Sequence, residues 1–181
     1  MKRRIRLSAM LLIVVALAHP AAGAAQELYT FTVSLLGGIG GSLDVDEGGF
    51  GNTSFQLGFS ALTDQRIHFA ARLGEIDFGS EELETLTDVS LTYLTLGGEY
   101  HTSESFYESA VFLGIGAYNL EATRIAGGSV DETSFGGFVG VLGDFEISPK
   151  WVFRIEGAVH YVDVEKVELF ATVQGGVVYR F

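Results

Sequence analysis

Along most of the chain apolar and polar residues alternate one by one, the two-residue period of a strand with one apolar face. Tyr29, Phe31, Val33 and Leu35 alternate with Thr30, Thr32 and Ser34, and the run ends in the glycine-rich stretch Gly37 to Gly41. Phe55, Leu57, Phe59 and Ala61 interleave with Ser54, Gln56, Gly58 and Ser60. After a turn at Thr63, Asp64 and Gln65, Ile67, Phe69, Ala71 and Leu73 interleave with His68, Ala70, Arg72 and Gly74. Similar runs occupy 89–101, 106–120, 135–147, 151–161 and 169–181, so eight strands are predicted. The fourth changes phase, with Val89, Leu91 and Tyr93 on one face and Leu94, Leu96 and Tyr100 on the other. That switch predicts a bulge near Tyr93 or a strand longer than a bilayer is thick.

The connections alternate in length. Stretches 43–52, 77–88, 121–133 and 163–168 read as long polar loops, whereas the turns near Thr63, Ser103 and Pro149 are short. Tyr29, Tyr107, Trp151, Tyr179 and Phe181 all fall at the short-turn end, where a girdle of aromatics would meet a membrane interface. Mean hydropathy is +0.31, yet no segment after residue 25 approaches the roughly 20 consecutive apolar residues of a membrane helix. A closed barrel is the other structure that satisfies every backbone group in lipid.

The final strand ends on Phe181, with Tyr179, Val177, Gly175, Val173 and Ala171 behind it on the same face. It resembles the closing strand of bacterial outer-membrane β-barrels, and the chain as a whole is similar to the small OmpA-like and OmpX-like eight-stranded barrels, a porin-like family. The resemblance implies an all-β fold, an eight-stranded antiparallel up-and-down transmembrane β-barrel in the Gram-negative outer membrane, with both termini periplasmic. It also implies that Tyr179 and Phe181 belong to a signal read by the barrel assembly machinery. The partners implied are outer-membrane lipids and lipopolysaccharide, and the state a monomer. To close the ring, 169–181 should lie against 29–38.

The first residues fit export. Lys2, Arg3, Arg4 and Arg6 precede an apolar run from Leu7 to Leu17 and the small residues Ala21, Ala22, Gly23, Ala24 and Ala25. This reads as a signal peptide over 1–25, cleaved after Ala24 or Ala25, leaving a barrel domain over 26–181. Cleavage removes four of the eleven basic residues and none of the 23 acidic ones, so the mature charge is 7 − 23 = −16. Such acidity argues against nucleic acid as a partner. With no cysteine, neither a disulfide nor a lipid anchor is possible.

An eight-stranded barrel is only wide enough inside for its own side chains or one small ligand. The inward phase carries Arg72, Glu99, Glu108, Asp144, Arg154, Glu156 and Arg180. Charges out of water must be paired, so these seven are expected to form a network that fills the lumen. Tight turns fix register: Asp144 should face Arg154, Leu142 should face Glu156 and Gln56 should face Arg72. Glu99 and Glu108 should meet, with Arg72 bridging them. A soluble lipocalin-like barrel would instead bury its apolar face and leave these charges outside.

Two other uses of the scaffold are a small gated pore and a lipid-modifying enzyme. Outer-membrane lipid A deacylases and palmitoyl transferases resemble this chain in size and strand count, and they place a His and a Ser on the outward rim. His160 lies at comparable height, but no Ser stands within several residues of it, and a serine nucleophile needs its base within hydrogen-bond reach. No catalytic set, cofactor or metal site is therefore expected. His68 and His101, on different hairpins, read as satisfied lumenal histidines.

Asp44, Asp46 and Glu47, then Glu81, Glu82 and Glu84, then Asp131 and Glu132, then Asp163, Glu165 and Glu168 would crowd one rim beside lipopolysaccharide phosphates. Divalent cations could bridge the two sets of anions, but no loop has a calcium-loop pattern, so a solvated rim is the simpler expectation. The function expected is a non-enzymatic envelope protein that supports the membrane or meets partners through these loops.

Overall fold

The computed structural model describes residues 31–43, 50–63, 66–78, 86–103, 107–164 and 167–181. The expected eight strands all form: β1 (Phe31–Ser42), β2 (Asn52–Leu62), β3 (Ile67–Asp77), β4 (Leu86–Ser103), β5 (Tyr107–Arg124), β6 (Ser129–Ser148), β7 (Trp151–Val164) and β8 (Val167–Arg180). Each pairs with its neighbour in sequence, and β1 pairs with β8 to close an antiparallel barrel. The seam runs from Thr32 opposite Arg180 to Ser42 opposite Phe170. The near end of the barrel carries the start of β1, the end of β8 and the connections after β2, β4 and β6. The far end carries the other four connections.

The outer wall is apolar: Leu35, Phe69, Leu113 and Ile115 are 62%, 62%, 65% and 72% exposed. The residues on the alternate phase of the strands turn inward, among them Ser34, Arg72, Glu99 and Asp144, and are buried. This is a transmembrane β-barrel with an apolar outer wall. At the near end the Trp151 ring packs edge-on against Tyr179 at 4.9 Å, Tyr179 against Phe181 at 4.7 Å, and Tyr107 stacks on Phe145 at 6.1 Å. Tyr29, the proposed signal peptide, and the acidic residues Asp44, Asp46, Glu47, Glu81, Glu82, Glu84 and Glu165 lie outside the described residues.

Two connections expected to be long loops are mostly strand. β5 and β6 stay paired from Thr123 opposite Ser129 inward, leaving a turn at 125–128 in which Gly127 and Gly128 take φ of +94° and +106°, a region that favours glycine. β7 and β8 likewise continue to Val164 opposite Val167. The sequence hid these extensions because above the lipid the outward face turns polar while Leu120, Ala122 and Val130 stay buried inside. Asn119, for example, donates to Asp131 Oδ1 at 2.8 Å and to Thr133 Oγ1 at 3.0 Å.

The bulge expected near Tyr93 is not there. The β4–β5 ladder runs unbroken from Ser90 to Ser103, and the irregularity falls between Thr87 and Ser90, where Asp88 has φ of +50°. Leu91 and Tyr93 face inward with no exposure. The phase switch reflects a lumen that is apolar at that height, not a break in the strand.

Candidate functional site

The lumen has two halves. In the far half Ile76, Leu91, Tyr93, Tyr118, Leu120 and Phe170 belong to one buried apolar cluster. His160 sits within it, 1% exposed, its ring stacked on Phe170 at 4.5 Å and its Nδ1 3.1 Å from the Tyr118 hydroxyl. The residue is thus enclosed by aromatic rings and not presented at the rim.

Below this cluster the seven expected charges converge, with partners partly different from those foreseen. Arg154 holds Asp144 through two parallel bonds, Nε to Oδ1 at 2.7 Å and Nη2 to Oδ2 at 2.8 Å, the bidentate geometry of a strong charge-assisted pair. This pairing was expected, and so was Leu142 opposite Glu156. Gln56, however, faces Gly74, and Arg72 faces Gly58. The β2–β3 turn is longer than assumed, with Leu62 opposite His68, and each added residue shifts the register. Gln56 and Arg72 nevertheless meet at a third side chain: Gln56 Nε2 donates to Glu156 Oε1 at 2.9 Å and Arg72 Nε to the same oxygen at 3.0 Å. Tyr93 closes this layer from above, its hydroxyl donating to Gln56 Oε1 at 3.0 Å.

Glu99 and Glu108 do not face each other across β4 and β5; Glu99 is opposite Phe112 and Glu108 opposite Ser103. What stands between the two carboxylates is His101, not Arg72. Its Nε2 lies 3.0 Å from Glu99 Oε2 and its Nδ1 2.9 Å from Glu108 Oε1. Arg72 bonds Glu99 from the other side, and Arg180 Nη2 donates to Glu108 Oε2 at 3.2 Å. Glu156, Arg72, Glu99, His101, Glu108 and Arg180 therefore form one chain toward the near mouth. His68 and His101 are buried in the lumen as expected, but the sequence reading did not make His101 a member of this chain. The usable signal was that both occupy the inward phase close to the near-end turns.

Packing fills the spaces between these groups. The Arg72 guanidinium lies 4.1 Å over the Phe112 ring, a cation–π contact. The interstice bounded by Ser34, Gly58, Arg72, Glu99 and Arg154 has no room for a water molecule. At mid-height Gly97 faces Gly114 across β4 and β5, and the Phe138 ring lies over both.

No protein-family model matches the chain, and no curated protein sequence does. Solved structures do match. Neisserial surface protein A superposes with a TM-score of 0.69 at 15% identity, over 88% of this chain and all of that one. The N-terminal β-barrel domain of OprF from Pseudomonas aeruginosa gives 0.60 at 13%, over 83% and 97%. The fold is that of the small eight-stranded outer-membrane barrels. Ail, the attachment invasion locus protein of Yersinia pestis, gives 0.54 at 19% identity, over 83% of this chain and 98% of Ail.

Proposed function

We propose that the protein is a non-enzymatic, non-conducting barrel of the outer membrane, near end to the periplasm, that meets its surroundings through the far rim. The observation carrying this reading is the filling of the lumen. Bonded charges occupy the near half, and a buried apolar cluster that includes Tyr93, Tyr118 and Phe170 occupies the far half. An ion would have to shed its water against that cluster, whose polar atoms are few, the Tyr93 hydroxyl already bonding Gln56 and the Tyr118 hydroxyl His160. Against a hydrolase, the buried His160 bonds a tyrosine hydroxyl and has no route to a lipid ester.

The far rim is acidic. Asp77, Asp88, Glu121, Asp131, Asp163 and Glu168 are exposed there, with Arg124 as the exposed basic residue among those described. Ail has been solved with the heparin analogue sucrose octasulfate; a polyanion of that kind would be repelled by this rim. The partner chemistry that fits is cationic, or anionic lipopolysaccharide reached through divalent cations. Single-channel recording in planar bilayers tests the reading: steady conductance from the wild type would overturn it, and silent insertion is the expected result.

A further inference from the structure

His68 on β3, His101 on β4 and Glu108 on β5 bring two ring nitrogens and a carboxylate oxygen within 4.8 Å of one another at the near end of the lumen. The two imidazoles stack at 3.9 Å. His101 is 2% exposed, and its Nδ1, 2.9 Å from Glu108 Oε1, makes no well-aligned hydrogen bond there. A buried ring nitrogen in that condition is costly. It stands beside a carboxylate oxygen, and the two together are a pair of donor atoms that a bound cation would take up.

The opposite nitrogen of the same ring is fixed. His101 Nε2 bonds Glu99 Oε2 at 3.0 Å, and Glu99 is itself held by Arg72. A carboxylate on the far nitrogen of a metal-binding histidine sets its tautomer and aims the remaining lone pair. We propose that His68, His101 and Glu108 are the protein ligands of a divalent transition-metal ion of the zinc class, with Glu99 as the group that positions His101.

Two imidazoles and one carboxylate suit zinc, nickel or copper better than calcium or magnesium, which take oxygen ligands. Tetrahedral zinc, bound at about 2.0–2.1 Å, holds its donors about 3.3 Å apart. The His101–Glu108 pair needs only a slight opening, and His68 joins by rotating out of the ring stack. Arg180 occupies Glu108 Oε2, which leaves Oε1 for the ion. The Glu108 carboxylate is 18% exposed, so the fourth position opens toward the near mouth and takes water.

The test uses the barrel refolded in detergent, its fold confirmed by heat-dependent gel mobility. Cobalt(II) is titrated by visible absorption in excess magnesium, which saturates carboxylate-only sites, and then displaced with zinc. The expected result is one equivalent with a tetrahedral spectrum, weakened about tenfold or more by either His68→Gln or Glu108→Gln and unchanged by Glu75→Gln on the outer wall. Absence of a tetrahedral spectrum from the folded wild type, or equal affinity in both ligand variants, would overturn the assignment.

Discussion

Arg72 on β3 and Glu156 on β7 stand four strands apart in a ring of eight, on opposite walls, and their side chains meet with Nε 3.0 Å from Oε1. A full diameter is spanned by one ion pair. Glu156→Leu should therefore leave Arg72 with Glu99 alone, strip Arg72 Nε and Gln56 Nε2 of their shared acceptor, and cost about 1–3 kcal/mol. Urea unfolding in lipid vesicles would measure it, and a loss below about 1 kcal/mol would mean that Arg72 finds water instead.

Asp144 and Arg154 behave differently, because they bond each other in parallel and sit on adjacent strands. Removing either alone should cost about 3–5 kcal/mol, whereas replacing both with leucine should be near neutral. The double-mutant cycle gives the coupling directly.

On the outer wall, Leu113→Arg at the middle of β5 should cost about 2–4 kcal/mol, as expected near the bilayer midplane. Phe153→Arg, two residues beyond Trp151 at the near-end start of β7, should cost less, falling toward about 0–1 kcal/mol at the interface. Equal penalties at both positions would contradict the depth assigned to the near end.

Gly114→Ala should destabilise by about 1–3 kcal/mol through overpacking. A methyl there would stand 2.1 Å from the Leu96 carbonyl oxygen and 2.7 Å from the Phe138 ring. Gly98→Ala on the same wall meets nothing within 4 Å and serves as the control, with unfolding midpoints compared in the same vesicles.

The barrel was legible because alternation sets both the strands and the faces they present: Phe55 out and Gln56 in, Phe153 out and Arg154 in, as observed. The Asp144–Arg154 pair was legible because the turn between its strands is tight. Longer turns broke the same logic for Gln56 and Arg72, where two added positions moved the register. Contacts between strands that are not neighbours, such as Arg72 to Glu156 across the diameter or Gln174 Nε2 to Ser54 Oγ at 2.7 Å two strands apart, join strands whose relative height depends on every turn between them. Strand pattern alone carries no such information. Leu91 and Tyr93 misled for another reason: an apolar residue on the inward phase looks like a break until the lumen is known to be apolar there.

The seam between Thr32–Ser42 and Phe170–Arg180 has a mechanical consequence. A ring has no free margin from which a strand can be peeled. Drawn out by its C-terminal end, β8 must slide against β1 and β7 together, so both ladders load in shear at once. Extraction should begin with one tall force peak, followed by smaller steps as the opened sheet unravels strand by strand.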